Sequence, residues 1–395
     1  MKLLIFLYLM FLSGTDIFRF YEWLPLYQYF LIPIILLAIF KGVRFIDYKP
    51  DIFLLVMLAI LIFSSLVNWN IKSLNYIMAY LYVIFGMYFL FKSALITSNI
   101  NFNSLLKANF YGVMLLSTYI ICEILFKFFF DFDITIFLHR TRETTALFSP
   151  YIYRAYGFST EPTATAWYLN SFGPLAIYFL INKFKAFMTK YLMILIIIIA
   201  FIFTFSSAAL LFLFLGLIFI IIKYNLYRKF FGNIFFFHFV LFLFLIVFIE
   251  PIHDAIYYYF EGIIHKITLN NEYKSVVQRL IGVETALTRF SQSPIIGSGL
   301  GLTSSLGEMS PMSWYLILIT NGGLLAFLSL FIFLAIKFYE VLVIKESIGI
   351  FMTFSLLVTF LSLSTTAAFF NPFLWTLLAI IGAYKYSKKR KISAL

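Results

Sequence analysis

YLMILIIIIAFIFTFSSAALLFLFLGLIFIII, residues 191–222, is the stretch whose reading sets the architecture. As one helix it would measure about 48 Å, against a hydrocarbon core of roughly 30 Å. Its flanks are both basic, with Lys183, Lys185 and Lys190 before it and Lys223, Arg228 and Lys229 after it. Basic flanks stay on the cytoplasmic side of a membrane, and a single span would separate them. Two short spans, 191–205 and 208–222, turning at Ser206-Ser207, satisfy both the length and the charge.

Apolar runs of similar length recur on both sides of this hairpin. Of 395 residues, 63% are hydrophobic and 12% charged, with a mean hydropathy of +0.99. A soluble domain is about half apolar and a quarter charged. Spans are expected at 3–18, 24–40, 52–67, 75–95, 107–128, 164–182, 191–205, 208–222, 231–250, 313–336, 348–363 and 372–385. The chain therefore reads as an all-α, polytopic membrane protein of about 12 transmembrane helices, one integral membrane domain over residues 1–395. The opening MKLLIFLYLMFLSG reads as the first, uncleaved helix. Gly173-Pro174 is expected to kink the sixth span. No internal repeat or low-complexity linker divides the chain.

With two spans in 191–222 the orientation becomes consistent. Lys41, Arg44 and Lys49, the clusters around the hairpin, Lys337 and Lys345, and the tail Lys385, Lys388, Lys389, Arg390 and Lys391 all fall in the cytoplasm, with both termini. Two long loops, 129–163 and 251–312, fall outside. The net charge of +12 is then an orientation signal, and nucleic acid is not an expected partner. Cys122 stands alone in an apolar span, which excludes a disulfide framework and a cysteine-based metal site.

The first outer loop ends in YRAYGFSTEPTATA, residues 153–166, with the spacing Arg154-x-x-Gly157-x-x-x-Glu161-Pro162. Arginine suits phosphate because its planar fork donates parallel hydrogen bonds and keeps its charge. Ser159 or Thr160 is a candidate helix cap, Pro162 fits a first helical turn, and the positive helix end favours Glu161. The plainer alternative is that Glu161 only complements the helix dipole while Arg154 snorkels to headgroups. The same loop offers His139, Arg140 and Arg142. In the second loop, residues 275–290 place Val276, Leu280, Val283, Leu287 and Phe290 on one stripe, with Arg279 and Arg289 opposite. This is an amphipathic helix lying along the membrane, its polar face toward a cavity or toward headgroups. SQSPIIGSGLG follows, where Pro294 stops the helix and Gly297 and Gly299 allow close backbone approach. Such a loop either cradles phosphate with its N–H groups or is a plain return loop.

Other groups carry less. Glu123, an acid inside the fifth span, is either functional or hydrogen-bonded in the bundle interior. His238, His253-Asp254 and His265 lack the spacing of a metal site. No nucleotide or Gly-x-Ser-x-Gly fingerprint occurs.

The Arg154/Gly157/Glu161-Pro162 pattern, followed about four spans later by Arg279 and then Phe290-x-x-Ser293-Pro294-x-x-Gly297-x-Gly299, resembles the outer-loop signatures of the bacterial O-antigen polymerase and O-antigen ligase superfamily. The two motifs cover about a third of the chain, mainly 150–182 and 275–330. The resemblance implies a fold similar to a type C glycosyltransferase in the bacterial inner membrane. It implies a glycosyltransferase that polymerises undecaprenyl-pyrophosphate-linked oligosaccharide repeat units into O-antigen or capsular polysaccharide at the periplasmic face. In that scheme Arg154, Arg279 and Arg289, supported by Arg140 and Arg142, hold the pyrophosphate. Glu161 takes the acceptor proton, with His139 as its substitute. Gly157, Pro162, Pro294, Gly297 and Gly299 shape the loops, and neither metal nor cofactor is required. Membrane lipids and a chain-length regulator are the further partners implied. Ligases of the superfamily carry His, then Asn, Ser or Gln, then Gly about ten residues on, where this sequence has Met312, Ser313 and Gly323. The missing histidine favours polymerase over ligase. A lipid-linked oligosaccharide flippase is the rival from another class, and intramembrane charges and repeats would mark it.

Overall fold

The computed structural model describes residues 1–14, 25–43, 48–134, 147–149, 152–225, 274–367 and 369–392. It is helical throughout apart from a short antiparallel pair, β1 (Leu147–Ser149) with β2 (Ile152–Tyr153). Among the described residues, four helices are long and apolar enough to cross a membrane: Pro50–Val67, Ser73–Thr97, Phe102–Phe130 and Trp314–Leu342. Shorter apolar helices accompany them at Leu26–Phe40, Phe187–Phe203, Ser207–Lys223 and Ser347–Ser362. This is the all-α membrane protein that the composition requires.

In chain order the helices are α1 (Lys2–Met10), α2 (Leu26–Phe40), α3 (Tyr48–Val67), α4 (Ser73–Leu81), a π-helical stretch (Tyr82–Leu90) continuing into α5 (Phe91–Thr97), and α6 (Phe102–Phe130). There follow α7 (Pro162–Lys183), α8 (Phe187–Phe203), α9 (Ser207–Lys223), α10 (Lys274–Gln292), the single turn α11 (Leu302–Ser305), α12 (Trp314–Leu342), α13 (Ser347–Ser362) and α14 (Pro372–Ile392). The expected ninth span, 231–250, and His238, His253, Asp254 and His265 lie outside the described residues.

The 191–222 stretch does divide. α8 stops at Phe203, Phe205 takes a left-handed conformation (φ 44°), and α9 starts at Ser207. The turn sits at 204–206, just before the expected Ser206-Ser207, because the carbonyls of Phe201 and Ile202 accept from the amides of Thr204 and Phe205 and close the helix early. The first span corrects the sequence reading. It was expected over 3–18, but α1 ends at Met10, and Gly14 turns the chain by donating to the Phe11 carbonyl. Helix α7 runs on through Gly173-Pro174. The break in the bundle is instead in α12, where Gly323 adopts φ 64°, ψ −167°.

α12 packs along α3, α13 packs against α7 and α9, and α6 packs against α7, α8 and α1. At the Asp51 end of α3 these contacts enclose an ionic cluster. Asp51 is ion-paired with Lys92 of α5 and accepts from the Tyr88 hydroxyl at 2.6 Å. Lys337 of α12, 1% exposed, lies 3.3 Å from Asp51 and 3.6 Å from Glu340. Lys385 of α14 completes the set, 2.5 Å from Glu340. Tyr88 and Lys92, four residues apart across the end of the π-helical stretch, both reach the same carboxylate. A buried pair adds little over an apolar isostere, but removing one partner strands the other charge.

Asp51→Ala should therefore cost about 3–5 kcal/mol, since it leaves Lys92 and Lys337 without their shared counter-charge. Thermal unfolding in detergent, followed by size-exclusion fluorescence, measures it. The double variant Asp51→Asn/Lys92→Met should recover part of the loss, and an Asp51→Ala protein as stable as wild type would show that the cluster is not a clamp.

Candidate functional site

The 153–166 segment is held from beneath by Glu123 of α6, a carboxylate 1% exposed. Its Oε1 accepts from the Tyr153 hydroxyl (2.8 Å) and the Tyr156 amide (3.0 Å), and its Oε2 from the Gly157 amide (2.9 Å). A buried carboxylate is stable only with such donors, and charge-assisted bonds of this kind are the strong ones. Gly157 is required twice over. Its φ is +59°, and a Cβ there would stand 2.7 Å from the Leu116 side chain. The Ala155 amide donates to Phe203 at 2.9 Å, so the segment is also tied to the end of α8. Of the two readings of Glu123, the hydrogen-bonded interior role is the one found.

This anchoring fixes where α7 begins. Pro162 is its first residue and buried, and Glu161, in extended conformation (φ −134°, ψ 131°), is the N-cap residue. The cap was expected at Ser159 or Thr160. The extended backbone required before proline moves it to the residue that directly precedes Pro162. The Glu161 side chain makes no capping bond and is exposed.

The second loop meets the first at this point. Glu161, Arg279 and Met312 line one cavity of about 300 Å³, together with Trp167 of α7, Ala209 of α9 and Thr365 beyond α13. That is the lower end of the range for small-ligand sites. Arg279 reaches it from α10, which runs along α12 with Gly282 and Ala286 inward. The Cα of Pro311 stands 3.1 Å from where a Gly282 Cβ would be. Val283 and Leu287 of the apolar stripe point outward, 38% and 60% exposed. Of the described polar residues on this helix, Arg279 is the one that lines the cavity. One acid and one cation, from segments more than a hundred residues apart in sequence, share a compartment with Met312.

Other expected site residues lie elsewhere. Arg154 is half-buried, and its Nε donates to the Thr204 carbonyl (3.3 Å) at the α8–α9 turn. Arg289 holds Glu308 with both arms of its guanidinium, Nε to Oε2 at 3.1 Å, while Nη1 donates to Gln292 at 3.2 Å. Neither lines the cavity. His139, Arg140 and Arg142 lie outside the described residues.

The glycine loop after Pro294 is a return loop, because its amides are spent on protein. The amides of Gly297, Ser298 and Gly299 donate to Ser293, Thr320 and Asn321, and that of Leu300 to the Ser65 hydroxyl. In return the amides of Leu324 and Leu325 donate to Pro294 and Ile295. Gly297 (φ +75°) sits so close that a Cβ would be 2.4 Å from the Asn321 carbonyl, and one on Gly323 would be 2.3 Å from that of Ile295. Ser64, Asn68 and Asn70 at the end of α3 donate to the Gly297 and Leu300 carbonyls. In the sequence these anchors are marked only by the polar run SSLVNWN, residues 64–70, at the end of an apolar span.

Alanine at Gly297 or Gly323 meets backbone and a left-handed φ together, and should each cost at least about 2 kcal/mol. Gly307, also left-handed (φ +71°) but with open space around it, should lose only about 1 kcal/mol as alanine. Thermal unfolding of the three variants in detergent gives the order, and equal losses would remove the claim that the backbone contact matters.

No family model matches the chain, and no curated protein matches it, so the cavity and its residues carry the functional reading.

Proposed function

We propose that the chain polymerises saccharide repeat units carried on a polyprenyl pyrophosphate, working at the cavity that Glu161 and Arg279 share. The reading adopts twelve membrane crossings, cytoplasmic termini, and a cavity that faces the outer side of the bacterial inner membrane. The donor is an undecaprenyl-pyrophosphate-linked oligosaccharide and the acceptor a second lipid-linked unit. An acceptor hydroxyl attacks the anomeric carbon of the donor, the carbon–oxygen bond to pyrophosphate breaks, and undecaprenyl pyrophosphate leaves with the electron pair. Glu161 takes the hydroxyl proton, and Arg279 meets the charge growing on the leaving pyrophosphate. The donor's own phosphate bond supplies the driving force.

The observation that carries this reading is the joint presence of Glu161 and Arg279 in one cavity. An isolated headgroup-binding arginine would have no reason to share a cavity with a carboxylate. Arg289 and Arg154 fit as secondary cations, each now engaged with a protein acceptor that an incoming phosphate would have to replace. Met312 in the same cavity matches the position of the ligase histidine and supports polymerase over ligase. A flippase is the second reading, favoured by the buried Asp51–Lys92–Lys337 cluster, since intramembrane charge often marks a translocation path. That cluster is closed by its own counter-charges and sits at the Asp51 end of α3, whereas the other end of α3 holds the glycine loop.

The surface polysaccharide of a strain deleted for this gene tests the assignment. Polymerase activity predicts a lipid core bearing a single repeat unit, with long chains restored by the wild-type gene. Arg279→Ala should lower polymer formation about 100- to 1,000-fold and Glu161→Gln by at least about 100-fold. Polymer accumulating on the carrier lipid would mean ligase, repeat units trapped on the cytoplasmic leaflet would mean flippase, and normal polysaccharide would end the proposal.

A further inference from the structure

A second cavity, of about 160 Å³, opens beside the first. Pro311 lines the second and Met312 the first, while Ala367 lines both, so a wall one residue thick separates them. Their chemistries differ. Arg279 and Glu161 put charge into the first, whereas no described residue lining the second is charged. Lys72, which approaches through the lining residue Ser304, spends its ammonium on the Ser304 carbonyl (2.7 Å) and hydroxyl (2.9 Å).

The lining of the second cavity is both aromatic and polar. Tyr80 of α4 stacks on Phe369 with ring centroids 4.0 Å apart and 22° between planes, and Phe370 stands edge-on to Tyr80 at 5.6 Å. Tyr80 and Phe369 are buried and hold the arrangement rigid, while Phe370, 38% exposed, and Tyr76, half-buried, leave ring surface for a ligand. The lining also includes Thr303 and Asn321, both largely buried, with hydroxyl and amide groups. Asn321 is fixed because its carbonyl is already bonded to Ser64 and Gly299 at the break in α12.

We infer that this cavity binds a neutral sugar ring of the acceptor saccharide, a reading that rests on the transferase assignment of the neighbouring cavity. A pyranose has one face of C–H groups that packs on an aromatic ring and a rim of hydroxyls that must be hydrogen-bonded when desolvated. A lining that combines aromatic surface with hydroxyl and amide groups matches both needs. The donor's reacting sugar carries pyrophosphate and belongs with Arg279. The acceptor's reacting end carries no phosphate, and a cavity without charge beside Glu161 suits it.

The test uses the full chain in lipid nanodiscs and neutral oligosaccharides released by hydrolysis from the surface polysaccharide of the source cell. Saturation-transfer NMR should show saturable binding. Phe370→Ala and Tyr76→Ala should each weaken it about fivefold or more, while Tyr76→Phe, which keeps the ring, should stay within about twofold of wild type. Arg279→Ala should leave binding of the phosphate-free saccharide unchanged. Unfolding temperatures of the variants, measured alongside, separate loss of contact from loss of fold, and Phe370 is the exposed position at which truncation empties least. Absence of saturable binding overturns the inference, as does binding indifferent to both ring deletions or abolished by Arg279→Ala. The transferase reading fails separately: normal polymer in an Arg279→Ala strain, with saccharide binding still sensitive to Phe370, would keep this subsite and reject the chemistry next to it.

Discussion

A broken helix in an apolar bundle cannot leave its backbone groups unpaired, and the site depends on how this chain meets that constraint at Gly323. In hydrocarbon each unsatisfied amide or carbonyl costs several kcal/mol, so a break is tolerated only where other protein groups replace the lost bonds. Here the replacement is reciprocal. The loop after α10 donates its amides to Thr320 and Asn321, and α12 beyond the break donates to Pro294 and Ile295. The contact is so close that only glycine fits at 297 and 323. Because this loop joins the end of α10 to the turn α11 and the start of α12, docking it fixes both the approach of Arg279 and the position of Pro311-Met312.

The 153–166 segment is positioned by the same physics with a different acceptor. Glu123 supplies carboxylate oxygens where a segment of irregular backbone between helices needs partners, and the amides of Tyr156 and Gly157 take them. An acid inside an apolar helix reads as a functional group when only the sequence is in view. Its neighbours show that it substitutes for water in satisfying backbone. Glu161 owes its place to this anchor, since the direction in which α7 leaves the loop is set by the bonds at 153–157 and by Pro162.

What could be read from the sequence divides along the range of the forces involved. The hairpin in 191–222 was legible because membrane thickness and flanking charge are local and additive properties of a segment. The amphipathic helix of Arg279 was legible for the same reason, its stripe being a period within one element. The break at Gly323 was not, because an apolar helix containing Asn321-Gly322-Gly323 carries no sign of which loop will pair with it; that pairing is long-range. The Asp51–Lys92–Lys337 cluster escaped notice for a related cause. Lys92 and Lys337 lie near the ends of their own spans, where a lysine is ordinary, and only the packing of α3, α5 and α12 joins them to Asp51. The cap at Glu161 was misplaced because side-chain preference at Ser159 and Thr160 was weighed ahead of the backbone restriction that Pro162 imposes on its predecessor.

The two ends of α3 show why burial, and not the presence of charge, separates structure from chemistry here. Asp51, about 20 Å from Ser64 along the helix, is enclosed with cations on more than one side, and desolvated charges of that kind hold only when their partners are fixed. A group locked in this way has little freedom to accept a proton or receive a phosphate. Glu161 and Arg279 both line a cavity and are exposed. Solvent lowers the cost of holding such charges, and in the proposed transferase a substrate that displaced that solvent would strengthen their fields. The buried Asp51 cluster thus holds helices together, while Glu161 and Arg279 stand where two segments distant in sequence converge.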